Sequence, residues 1–181
     1  MSKREHILDT AEMLFNAFGY TAVGVDLIRD TAEVSKTSMY RYFGSKHQLI
    51  EAVLARRHAH FKDALGAAVE AGVTREGRLE ALLDWHFAWF ETQAFKGCMF
   101  MHALAEFKME HEELVEWARQ HKVWLATVLA SIIDPESPQI NSRVESLMTL
   151  LEGMIVRAEF GLLNDDKEIY RHAAKQLAFT Q

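Results

Sequence analysis

Val34-Ser35-Lys36-Thr37-Ser38-Met39-Tyr40-Arg41-Tyr42-Phe43 is the stretch on which the fold turns. Ser35 stands where a helix cap belongs, because a short side-chain oxygen can accept an otherwise orphaned N–H of the first turn. Behind it, Met39 and Phe43 are four residues apart and share one face, while Lys36, Thr37, Ser38, Tyr40, Arg41 and Tyr42 project from the others. A helix this short is not stable alone, so its apolar pair needs neighbours. Val25, Ile28, Ala32 and Val34 supply one, just upstream. The other is a longer stripe of Ile7, Leu8, Ala11, Leu14, Phe15 and Phe18, closed by Gly19 as a stop signal. Two short helices joined by a few residues, the second capped by a hydroxyl and studded with polar and aromatic side chains, make the helix-turn-helix pattern.

The chemistry of that second helix suits DNA. Hydroxyls and cations reach phosphates, Arg41 or Lys36 can meet a guanine edge in a major groove, and the helix N-terminus favours an anion at Thr37. The formal net charge of −6 argues weakly against such a partner, but its distribution reverses the argument. Residues 1–50 hold six Lys/Arg and six Asp/Glu, whereas residues 51–181 hold fourteen against twenty. Residues 34–50 carry Lys36, Arg41 and Lys46 with no acid, a local docking patch on an acidic protein.

Outward from this head the chain reads as all-α. Its two prolines both fall in Asp134-Pro135-Glu136-Ser137-Pro138, and no stretch sustains the period-2 alternation of a strand. Helices are expected at 3–18, 25–32, 36–43, 46–70, 75–93, 98–109, 111–133, 139–162 and 165–178, about nine in all, with Ser45 capping the fourth. The fourth helix, apolar at Ile50, Val53, Leu54, Phe61 and Leu65, joins a head of residues 1–46 to a body of residues 47–181 without a flexible linker. A single cysteine, Cys98, excludes an intrachain disulfide framework and fits a reducing compartment. With no apolar signal core and no uncharged run approaching ~18 residues, a cytoplasmic, non-membrane protein is expected.

Gly19-Tyr20, Val25, Ile28, Ala32, Val34-Ser35-Lys36, Tyr40, Phe43, Ser45-Lys46 and Leu49, in order and spacing, resemble the head of TetR-type (tetracycline-repressor family) transcriptional regulators. The resemblance covers about a quarter of the chain. It implies DNA contacts, mainly to phosphates, from Ser35, Lys36, Thr37, Tyr40, Tyr42 and Lys46, to which the residue chemistry adds Ser38 and Arg41. Two departures stand out. Val23-Gly24 replaces a pair of hydroxyl residues before the second helix, removing a cap, and Glu33 stands in the turn where the family often has Gly.

The body is dense in aromatic and Met residues from residue 75 onward, a composition that fills a core or lines a pocket for a small organic molecule. The resemblance implies an effector pocket, and the expected lining is Trp85, His86, Trp89, Met101, His102, Phe107, His121 and Trp124. Val144, Leu147, Leu151, Met154 and Ala158 form one stripe, with Met148, Ile155 and Leu162 beside it; a helix apolar on more than one face must bury both, against its own chain or a second one. The resemblance implies a homodimer, with Val144, Leu147, Leu151, Met154, Ile155, Ala158 and Leu162 at its interface and a palindromic operator as partner. Cys98, His102 and Glu106 recur at i, i+4 and i+8 and give the rival reading, a metal-binding or thiol-based redox-sensing protein. No third group is placed to orient His102, so catalysis is not expected, and helical spacing alone is too little to expect a resident metal or cofactor.

Overall fold

A computed structural model describes residues 2–109 and 111–180. Among them are nine α-helices and no strand: α1 (Lys3–Phe18), α2 (Val25–Thr31), α3 (Lys36–Phe43), α4 (Lys46–Glu70), α5 (Arg75–Phe90), α6 (Met99–Phe107), α7 (Glu112–Ile132), α8 (Ile140–Glu159) and α9 (Glu168–Phe179). The expected α5, α6 and α8 run two to three residues too long at their C-terminal ends, where the chain leaves the helix at Glu91, Lys108 and Phe160. Local chemistry sets several boundaries. Ser2, Ser35 and Thr74 accept the N–H of Glu5, Ser38 and Gly77 at the starts of α1, α3 and α5, and Ser45 accepts the N–H of Gln48 as α4 begins.

The chain divides into two compact units, 1–59 with 98–121, and 60–97 with 122–181. This division does not follow a boundary at residue 46: the unit that contains the head also takes in α6 and the first half of α7. Within it α2 packs on α1 and α3. Ile7, Leu8, Ala11, Leu14 and Phe15 of α1, Ile28 of α2, Met39 and Phe43 of α3 and Leu49, Ile50, Val53 and Leu54 of α4 are all buried, so each short helix is held by the apolar face that the sequence gives it. Phe18, at the end of the α1 stripe, is exposed instead. The Arg56 guanidinium fixes α4 to α1, its Nη1 donating to Asp9 Oδ1 at 2.6 Å and its Nη2 to Glu12 Oε2 at 2.5 Å.

The second unit has its own core, in which Leu65, Leu79, Leu82, Leu83, Phe87, Leu125, Leu129, Ile132, Val144, Leu147, Leu151, Met154, Tyr170, Ala174 and Ala178 pack together. Arg171 of α9 is anchored to α5 through Glu80, 3.0 Å away, and Asp84, while its guanidinium lies over the Phe87 ring. No helix among the described residues is long and apolar enough to cross a membrane.

Candidate nucleic-acid interface

The exposed surface of the first unit around α3 is built by subtraction. Met39 and Phe43 turn inward, and the remaining side chains of the helix, Lys36, Thr37, Ser38, Tyr40, Arg41 and Tyr42, are exposed or half-exposed. Tyr40 and Tyr42 keep 44% and 37% of their surface accessible, enough for a phenol to rest on the helix and still offer its hydroxyl outward. Arg41 lies over the ring of Tyr42, 5.1 Å from its centroid, which orients the guanidinium while leaving most of its N–H groups to a partner. Thr37 stands in the first turn, where unpaired backbone N–H groups and the helix dipole favour an anion.

Several of the expected contacts have intrachain duties as well. The Ser35 hydroxyl accepts the Ser38 N–H at 3.1 Å and donates to the Ser38 hydroxyl at 3.0 Å, so it shapes the helix start that it also exposes. Lys36 pairs with Asp26 of α2 at 3.2 Å, an exposed ion pair of the weak kind that a phosphate can displace. Lys46 donates from Nζ to the Thr21 carbonyl at 3.3 Å; partial burial lowers its pKa, an effect that the charge of Glu106 opposes.

Both departures in the turn have structural counterparts. Gly24 caps α2 with no side-chain hydrogen bond, as loss of a hydroxyl residue there requires. Glu33 has φ of 52°, the one positive φ outside glycine among the described residues. The turn is held in that shape by Glu33 N–H to Asp30 O at 3.3 Å and Val34 N–H to Arg29 O at 3.1 Å.

The expected pocket residues divide between the units. Met101, His102, Phe107 and His121 lie in the first, and Trp85, His86, Trp89 and Trp124 in the second. Phe107 is core, packed on Tyr20 with centroids 5.6 Å apart. His121 is buried, stacked on Phe100 at 3.8 Å, with its Nδ1 3.2 Å from that of His58. In the second unit His86 donates its Nδ1–H to the Leu82 carbonyl at 2.8 Å, and burial pushes its pKa down to about 4, leaving a neutral ring with Nε2 as an acceptor. The rings of Trp85, Trp89 and Phe90 stand edge to face against it, and Phe61 and Phe95 extend the cluster by edge-to-face contacts with these rings. A groove of about 590 Å³ elsewhere in this unit is lined by Arg75, Asp134, Gln139, Arg143 and Phe179, none of them marked by the sequence.

Of the expected interface residues, Val144, Leu147, Leu151, Met154 and Ile155 are buried within the chain. The first four belong to the core shared with α5, α7 and α9. Ala158 is half-buried, and Leu162 is 60% exposed beside Phe160 at 73%.

Two members of the rival constellation have structural places of their own. Cys98 is buried at the start of α6. Glu106 directs its two oxygens at the N–H groups of Tyr20 and Thr21, at 3.0 and 2.6 Å. Partial burial pushes this carboxyl up, yet hydrogen bonds from Thr21 and Tyr20 overcome that and hold it below the usual carboxylate range. Among the described residues no three His, Cys, Asp or Glu side chains gather as metal ligands. The role of Glu106 toward the α1–α2 turn was missed by sequence reasoning, which had only its helical spacing from Cys98 and His102 to go on.

Residues 7–53 match the family model of bacterial regulatory proteins, tetR family. The match ends a few residues into α4, so it spans the three head helices and the start of the helix that carries them. The head thus matches the tetR-family model, and the nine helices among the described residues have the fold seen in TetR-family regulators of known structure.

Among curated relatives, the HTH-type transcriptional repressor NemR of Escherichia coli is 39% identical over 69 residues, 38% of this chain and 35% of its own length. The chain thus spans about a third of the length of the curated relatives it matches first. Over the full length, the TetR-family transcriptional regulator SCO4454 from Streptomyces coelicolor superposes with a TM-score of 0.88 at 23% identity, covering 99% of this chain and 96% of that one. The reduced form of E. coli NemR gives 0.81 at 22% identity, covering 97% of each.

Proposed function

We propose that this chain is a ligand-responsive transcriptional repressor that acts in the cytoplasm, binding a palindromic operator as a homodimer and leaving it when a small organic molecule binds the body. One observation carries the reading: a hydroxyl-capped α3 that buries Met39 and Phe43 and turns Thr37, Tyr40, Arg41 and Tyr42 outward, on a head matched by the tetR-family model. In this reading residues 1–46 read DNA and residues 47–181 bind effector and partner. Ser35, Lys36, Thr37, Ser38, Tyr40, Tyr42 and Lys46 hold phosphates, and Arg41 reaches a base edge.

The effector is proposed to meet Trp85, His86 and Trp89, where flat apolar rings surround one neutral imidazole acceptor; that chemistry favours an aromatic molecule bearing an O–H or N–H. Exposed Phe160 and Leu162 support a second chain packing at the end of α8. Effector and DNA then oppose each other through a coupling of ~1–3 kcal/mol.

The test is selection of bound sequences from a random duplex pool. A two-fold symmetric site with half-sites about one helical turn apart is expected. Recovery of no enriched sequence, or of one without symmetry, overturns the dimeric operator reading.

A further inference from the structure

Glu106 lies far from α3 in sequence, yet it holds the connection between α1 and α2. Its Oε1 accepts the Tyr20 N–H at 3.0 Å and its Oε2 accepts the Thr21 N–H at 2.6 Å. At the other end of α6 the Met99 carbonyl accepts the Tyr20 hydroxyl at 2.9 Å. Tyr20 is thus held from both ends of one helix and Thr21 from its C-terminal end, and Tyr20 is fully buried between Phe15 and Phe107. The close approach depends on Gly19, φ +84°, where a Cβ would stand 3.0 Å from Glu106 Oε1.

Thr21 passes this constraint on, because its carbonyl is the acceptor for Lys46 Nζ at 3.3 Å. A lysine stem is flexible, so holding its ammonium in place spares part of the entropy that a phosphate contact would otherwise cost. Glu106, Thr21 and Lys46 form one chain of polar contacts from α6 to the first residue of α4. The contacts between Glu106 and Thr21 are charge-assisted, which makes this the strong link, and Lys46 keeps two further N–H donors for DNA.

We propose that Glu106 is a positioning residue for DNA binding: it fixes the Thr21 carbonyl, and through it the Lys46 ammonium, so that the place of α6 decides whether that phosphate contact is available. The proposal rests on the regulator reading above and names a route by which the same site is regulated.

The experiment compares wild type, Glu106→Ala, Glu106→Gln, Lys46→Ala and the Glu106→Ala/Lys46→Ala double variant. Binding of mixed-sequence duplex DNA is measured across salt concentration, and amide hydrogen exchange is followed at Tyr20 and Thr21. Lys46→Ala lowers the salt slope by about one, Glu106→Ala lowers it by about the same, and the double variant loses no more. Glu106→Gln, which keeps an acceptor oxygen but no charge, retains part of the slope. Exchange at Tyr20 and Thr21 quickens by about tenfold or more in Glu106→Ala, while α2 and α3 keep their protection, which also certifies the fold.

A purely structural role would lower thermal stability and leave the slope untouched. A mere nearby negative charge would make both Glu106 variants bind DNA more tightly. Either result overturns the proposal, as does a double variant that loses a further unit of slope. Should wild type show no salt-dependent DNA binding, the regulator reading fails and the positioning role falls with it; unchanged exchange with intact DNA binding overturns the positioning role alone.

Discussion

Replacing Glu33 by Gly should make the protein more stable, and the reason lies in one dihedral angle. Glu33 sits at φ 52°, where a Cβ crowds the following carbonyl at a cost of roughly 1–2 kcal/mol. Glycine removes that penalty but frees the unfolded chain, returning ~0.4–1 kcal/mol. The exposed side chain contributes little packing to set against this, so the net gain is ~0.5–1 kcal/mol. For a chain of this length that is about 1–4 °C in Tm, measurable by thermal and urea denaturation. Glu33→Ala is the control: it deletes the same carboxylate but keeps a Cβ, and its stability should stay near wild type. The two variants also separate strain from charge. With an acid removed beside the DNA-facing helix, both should bind duplex DNA more tightly, the gain shrinking as salt rises. The reasoning is refuted if Glu33→Gly destabilises the fold, or if Glu33→Ala stabilises it as much.

Three further outcomes are expected. His86 binds its proton near pH 4 when folded and near its ordinary 6.5 when unfolded, so the unfolded state takes up more protons between those values; stability should fall as pH drops from about 6.5 to about 4, by a few kcal/mol in order of magnitude, and a His86→Asn variant measured by urea denaturation should lose most of that slope. Leu147→Ala should cost ~2–5 kcal/mol as a core truncation, whereas Leu162→Glu should leave the melting of the isolated chain nearly unchanged and weaken self-association in sedimentation; equal effects of the two on self-association would contradict the burial pattern. Ser35→Ala should lose ~1 kcal/mol of cap energy and weaken DNA binding, and an unaltered melting temperature would show that the hydroxyl does not cap α3.

By itself the sequence determined the local punctuation of this protein and the character of its head. Ser35, Gly19 and the apolar spacing of α1 to α3 act within one or two helical turns, so their consequences could be read from neighbours in the chain. So could the two irregularities of the turn, since an absent cap hydroxyl at Gly24 and a Cβ at Glu33 are properties of single residues. Periodicity reports that a face is apolar, however, and not what covers it. The α8 stripe of Val144, Leu147, Leu151 and Met154 reads as an interface, and only the tertiary structure shows that it packs with α5, α7 and α9 of its own chain. The aromatic and histidine set of the body read as one pocket, and the fold distributed it between two units. Glu106, spaced like a metal ligand on its own helix, instead receives backbone N–H groups from a turn 85 and 86 residues earlier. A carboxylate takes whichever donors the chain brings to it, and over such separations the tertiary fold makes that choice.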